Sequence, residues 1–159
     1  LTMRTWQVNK NSVSVNYGPL TLSLKIGEEF IRRDSRETAI GDSKWQKGAD
    51  AENWPSYEIH PTTAWNYALV LGEKDPLEGF EVVKKSWPSD NFPFTPGNVP
   101  LEVKAQGRRI PSWKIDKYGL CAVLPETDAP KSPQIENITL IPFADFCFPC
   151  RIRIIEPAR

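Results

Sequence analysis

The sequence has one histidine, His60, and only three cysteines, and these scarcities narrow its chemistry early. A structural zinc site needs four ligands. Beside the Cys147-Phe-Pro-Cys150 pair, only Cys121 and His60 could complete one. No second histidine exists for a proton relay, and no Ser or Cys sits in a recognisable nucleophile elbow. Charge of one sign is missing as well. Lys plus Arg and Asp plus Glu are 20 each, so the zero net charge gives no reason to expect nucleic acid or an anionic membrane as partner. No run approaches the ~20 apolar residues of a membrane helix. Convincing helical periodicity, internal repeats and low-complexity tracts are absent too. The chain opens Leu-Thr-Met-Arg, with neither an initiator methionine nor a signal peptide, which leads us to expect a processed product or a piece of something longer.

What is present suits one domain spanning 1–159. At this length a chain buries about two-thirds of the surface it exposes when unfolded. Hydrophobic residues at 40% and charged ones at 25% are ordinary globular usage, which argues against disorder. The fifteen prolines fall between apolar segments, as expected for short strands joined by rigid turns.

Strand patterns recur throughout. Residues 12–17 alternate, with Val13, Val15 and Tyr17 on one face. In 20–26, Leu20, Leu22, Leu24 and Ile26 alternate with Thr, Ser and Lys, the mark of a half-buried antiparallel strand. Gly27-Glu28-Glu29 reads as a turn into 29–33, paired back as a hairpin. Residues 34–53 form a long polar excursion. Strand character returns at 56–60, 65–71, 79–84, 99–105, 118–124, 137–143 and 150–155. Between these, 86–98 is an extended Pro-rich loop whose rings Trp87, Phe92 and Phe94 are expected to pack on something, and 126–136 is a polar connection. Nine to eleven short strands without a helix predict an all-β, mostly antiparallel, β-sandwich or jelly-roll-like fold with long Pro-rich loops.

The Cys-x-x-Cys spacing fits zinc knuckles and redox sites, but Cys150 leads into Arg-Ile-Arg-Ile-Ile, which alternates like a strand and does not open a helix. Buried or half-buried free thiols are the leading expectation, with a disulfide and a metal site as alternatives.

The densest concentration of potential chemistry is residues 54–71, which place Trp54, Tyr57, Trp65 and Tyr67 near His60 in the sequence. Glu58 lies two residues before His60, on the same strand face. Such a pair can orient an imidazole, and it can equally satisfy a strand end. Glu58, Asp116, Glu126 and Asp145 could supply a glycosidase-type carboxylate pair, yet none stands in a distinctive motif. Tryptophan faces stack on sugars, and six tryptophans are many for this length. Trp65 and Trp113 are expected in the core, and Trp45, Trp54 and Trp87 at the surface.

Four segments then follow one another in order: Gly18-Pro19-Leu20-Thr21-Leu22-Ser23-Leu24-Lys25-Ile26, Tyr57-Glu58-Ile59-His60-Pro61 with Trp65-Asn66-Tyr67-Ala68-Leu69, Arg109-Ile110-Pro111-Ser112-Trp113, and Ile138-Thr139-Leu140-Ile141-Pro142. Together they resemble the C-terminal β-sandwich region of the β-L-arabinofuranosidase-like glycoside hydrolases, family 127, once a domain of unknown function. In that family catalysis belongs to an (α/α)6 barrel lying before the sandwich, with a zinc-bound cysteine nucleophile and a glutamate acid/base. This chain lacks the barrel and the matching cysteine–glutamate cluster, so the nucleophile role is not carried onto Cys147 or Cys150.

The resemblance implies a non-catalytic accessory domain, and this portion is not expected to be an enzyme. Its expected partner is the helical catalytic domain of the parent chain, with no catalytic residue, metal or cofactor of its own. The alternative is a carbohydrate-binding module contacting an oligosaccharide through Trp54, Glu58, His60 and Trp87. A third reading, an autonomous enzyme using Glu58 and His60, is the least favoured. A secreted or periplasmic parent fits the resemblance, although no residue assigns a compartment.

Overall fold

The computed structural model describes residues 1–33, 56–93, 95–116, 121–142 and 154–155. The protein is all-β and β-sandwich-like, with every described pairing antiparallel and no α-helix among the described residues. The order is β1 (Thr2–Trp6), a 3-10 turn (Gln7–Asn9), β2 (Ser12–Tyr17), β3 (Leu20–Leu24), β4 (Glu28–Arg33), β5 (Ser56–Pro61), β6 (Tyr67–Leu69), β7 (Glu81–Lys84), β8 (Leu101–Arg109), β9 (Glu136–Pro142) and β10 (Ile154–Ile155). No described helix is long and apolar enough to cross a membrane. The chain divides into two compact units, Leu1–Lys25 with Ala64–Arg159, and Ile26–Thr63.

The first unit holds an eight-stranded sheet whose main path is β1-β2-β3-β9-β8-β6. β3 belongs to two ladders: Leu20 and Thr21 pair with β2, while Leu22 to Leu24 pair with β9. That change of partner lets the sheet curl, as strands do where a sandwich turns its corner. β8 is the longest strand, with β9 on one side and β7 followed by β6 along the other. Its alternation sends Leu101, Val103 and Ala105 inward against Ile138 and Leu140 of β9. Val103, Ile110 and Ile141 are completely buried, each such side chain worth about 1.5–3 kcal/mol of transfer free energy. Gly107 interrupts the β8 pattern for a steric reason. A Cβ there would meet Tyr67 Cδ1 and Ile138 Cδ1, each at 3.1 Å, so the missing side chain leaves room for the Tyr67 ring.

Trp65 and Trp113 are core residues, as expected, and pack edge to face with centroids 5.1 Å apart. Three sequence expectations change. Leu20 is largely exposed although its period mates Leu22, Leu24 and Ile26 are buried, because β3 starts on the β2 ladder before reaching the core. The strand expected over 118–124 reduces, in its described part, to one bridge between Ile115 and Cys121. The segment 29–33, expected to pair back through Gly27-Glu28-Glu29 as a hairpin, pairs instead with β5, because β3 already has β2 and β9 as its partners. β1, for which the sequence raised no expectation, carries no regular alternation and pairs along the edge of β2.

The second unit is a two-stranded ribbon of β4 and β5, in register from Glu28 opposite Pro61 to Arg33 opposite Ser56. At its base Thr62 N–H donates to the Gly27 carbonyl, and Gly27 N–H donates to Thr63 Oγ1, both at 2.8 Å. Alternation gives the ribbon two faces: Phe30, Tyr57 and Ile59 with Glu28 and Arg32 on one, and Glu29, Ile31, Arg33, Glu58 and His60 on the other. Phe30 and Tyr57 meet edge to face at 6.2 Å.

Candidate functional site

The expected Glu58 and His60 do come together. Two residues apart on β5, they project to one face, and His60 Nε2 lies 3.2 Å from Glu58 Oε2. Arg33, one strand away, donates from a terminal guanidinium nitrogen to the same oxygen at 2.9 Å. These bonds, from Arg33 first and His60 second, hold the Glu58 carboxyl below its ordinary pKa. An anionic Glu58 is an acceptor, not a general acid, and His60 faces that carboxylate instead of a hydroxyl or thiol it could activate. The arrangement is an ion-paired strip on an exposed ribbon.

Trp54, the third expected sugar contact, lies outside the described residues, as do Trp45, Phe94, Asp145, Cys147 and Cys150. Trp87, the fourth, belongs to the other unit. It is 61% exposed, in line with the expectation of a surface position, and Phe92 is 52% exposed. Internal hydrogen bonds hold this loop. Trp87 Nε1 donates to Asn91 Oδ1 at 2.7 Å, Phe92 N–H donates to Asp90 Oδ1, and Asn98 Nδ2 bridges Asp90 Oδ2 and the Phe92 carbonyl. Asn91 adopts a left-handed conformation, φ 54°, which asparagine tolerates better than most residues. Buried Val99, whose N–H donates to the Thr95 carbonyl, ties the loop down. The Trp87 indole is therefore exposed and held.

Two polar clusters have no counterpart among the sequence expectations. On the outer face of β8, the Glu102 side chain is only 5% exposed and is bonded by Lys25 at 2.8 Å, Lys85 at 2.6 Å and Lys104 at 3.1 Å. Burial alone would raise its pKa, but the three ammonium groups override that and bring it down to about 2. Farther along, Tyr67 Oη donates to Glu136 Oε2 at 2.7 Å, and Arg109 Nε donates to Glu136 Oε1 at 3.0 Å. The Tyr67 bond, with Arg109 behind it, lowers the Glu136 pKa, while burial and then the carboxylate raise that of Tyr67. Of the carboxylates expected as acid/base candidates, Glu126 is paired with Lys10 at 2.6 Å.

The cysteine expectation is corrected at Cys121, which is disulfide-bonded and not a free thiol. Strand patterning carries no information on oxidation, so the free-thiol reading rested on residue frequency alone. Compared with known proteins, the chain matches no family model, no curated protein and no solved structure.

Proposed function

We propose that this chain is a non-catalytic accessory β-sandwich of a glycoside-hydrolase-type protein, docking on a helical catalytic domain of the parent chain. The resemblance of four ordered segments to the family 127 sandwich motivates the reading. The observation that carries it is the aromatic face of the ribbon, where Phe30 is 53% and Tyr57 51% exposed, side by side. Covering the exposed halves of two such rings removes about 200 Å² from water, worth about 5 kcal/mol before the costs of association. On the opposite face Glu58 is bonded by Arg33 at 2.9 Å and lies 3.2 Å from His60 Nε2.

The test is calorimetric titration of this chain into the (α/α)6 portion of a β-L-arabinofuranosidase-like hydrolase. The wild-type chain is expected to bind, and Phe30→Ser combined with Tyr57→Ser to weaken binding at least about tenfold. Binding unchanged by the double substitution, or absent at about 0.1 mM protein, ends the proposal.

The second reading, a carbohydrate-binding module, is favoured by one observation: Trp87 is presented to solvent with its indole N–H already satisfied by Asn91. A ring fixed before binding loses little entropy when a sugar stacks on it. Titration with arabinan, pectin and xylan fragments, followed by tryptophan fluorescence, is expected to give a saturable change that Trp87→Ala abolishes. Silence with all three, or a response surviving Trp87→Ala, removes this reading.

A further inference from the structure

The three lysines gathered on Glu102 carry more charge than that carboxylate balances. They come from separate elements of the eight-stranded unit: Lys25 follows β3, Lys85 follows β7 and Lys104 lies on β8. Lys25 Nζ at 2.8 Å and Lys85 Nζ at 2.6 Å bond one oxygen, Oε1, while Lys104 Nζ at 3.1 Å bonds the other. The first two nitrogens are therefore separated by no more than those two distances laid end to end. Among the described residues none of the three lysines pairs with a second carboxylate, so one negative charge faces three positive ones. Glu81 stands opposite Lys104 in the β7–β8 ladder without forming an ion pair, and a positive excess remains even when it is counted. Lys plus Arg equal Asp plus Glu over the whole chain, so this excess is local.

The ammonium groups are held at both ends of their stems. Lys25 N–H donates to the Thr139 carbonyl and Lys85 N–H to the Pro100 carbonyl, both at 2.7 Å. Lys104 is in register with Thr139 on β9, and its Nζ donates to Thr139 Oγ1 at 2.9 Å. At the other end Glu102, ionised at every pH near neutrality, pins all three. The lysine side chains are a third to half exposed while the carboxylate is buried. The cluster therefore shows solvent its positive side, already ordered before any ligand arrives.

Each ammonium group has three N–H donors. Lys25 and Lys85 each spend one on a side-chain partner and Lys104 spends two, so every lysine keeps a donor. The Thr139 hydroxyl accepts from Lys104 and retains its own proton to give. Closely spaced donors with a net positive charge suit a compact oxyanion, which takes charge-assisted hydrogen bonds from several of them at once. A carboxylate brings two oxygens and one charge. A phosphate group brings at least three oxygens and up to two charges, which fits the number of donors and the excess better.

From this geometry we infer an oxyanion site on the outer face of β8, formed by Lys25, Lys85, Lys104 and Thr139, for a phosphate or sulfate group. The site uses none of Phe30, Tyr57 and Trp87, so it is independent of both functional readings above.

The test is an amide NMR titration of the whole chain with inorganic phosphate, sulfate and phenyl phosphate in turn, at an ionic strength held constant with sodium chloride. At least one is expected to give saturable shifts at the amides of Lys25, Lys85, Lys104 and Thr139, half complete below about 10 mM. Lys85→Met, which keeps the stem and removes the charge, and Thr139→Val are each expected to weaken that binding at least about threefold with the rest of the spectrum in place. Lys74→Met removes the same charge from the exposed connection between β6 and β7, and it is expected to leave binding unchanged. Phosphate binding at least as tightly as phenyl phosphate identifies the free ion as the ligand, and tighter phenyl phosphate identifies an ester on a larger molecule. No saturation at these amides, the same shifts with chloride alone, weakening by Lys74→Met as large as by Lys85→Met, or binding unchanged in both Lys85→Met and Thr139→Val overturns the inference. Failure of the docking or Trp87 experiments leaves these readouts unaffected.

Discussion

Glu102→Gln is expected to lower stability by about 2–3 kcal/mol at neutral pH, seen as a lower urea midpoint with an unchanged slope. Glutamine keeps the shape and loses the charge on which Lys25, Lys85 and Lys104 converge. The three ammonium groups are then left crowded together on the outer face of β8. The pH dependence has a definite sign. Glu102 has a pKa of about 2 in the folded chain against an ordinary 4.5. Its contribution is therefore complete above the unfolded pKa, and it is lost as the pH falls from that value through about 2. The shift sets an upper figure of about 3.4 kcal/mol, and because the lysine ends are a third to half exposed, solvent screening places the expected loss below it. Wild type should lose stability in acid over this window more steeply than Glu102→Gln. Equal midpoints at pH 7, or parallel acid profiles, would show that the lysines contribute nothing.

Trp113→Ala should cost about 4 kcal/mol, the largest single effect expected in this chain. Trp113 is buried, stacks edge to face on Trp65, and donates from Nε1 to the Ala122 carbonyl at 3.0 Å. Asn66 reinforces the same turn by donating to the carbonyls of Ile110 and Trp113. Truncation removes the ring, leaves a cavity and orphans the Ala122 carbonyl. Trp113→Phe retains most of the apolar volume but not the donor, so it should cost about 1–2 kcal/mol. Denaturant curves measure both, and near-ultraviolet circular dichroism reports the loss of the Trp65–Trp113 pair. A Trp113→Ala chain as stable as wild type would contradict the packing described.

The strands that alternate were legible before the structure. Ser12–Tyr17 and Leu20–Leu24 sit close to where the period of two places them. Glu28–Arg33 was placed by the turn signal before it, and it finds its partner in β5 and not in the strand preceding that turn. Thr2–Trp6 was not, because an edge strand with only one neighbour has little reason to alternate cleanly. Glu102 was hidden by the alternation itself. In Leu101-Glu102-Val103-Lys104-Ala105 it occupies a polar-face position, and only the lysines brought in from after β7 and from the end of β3 exclude water from it. The geometry of Glu58 and His60 followed from their spacing, but Arg33 as the stronger partner depended on the β4–β5 register.

The two hydrogen bonds at the base of the ribbon have a consequence for how such a chain can vary. Because Gly27 is tied to both Thr62 and Thr63, the segment between them starts and finishes at one place. The entropy of closing a loop grows only with the logarithm of its length, so residues gained or lost beyond that knot change the closure term little. Change is costly at Gly27 itself, where even one methyl group would strike the Thr62 hydroxyl. Relatives of this chain should keep glycine there.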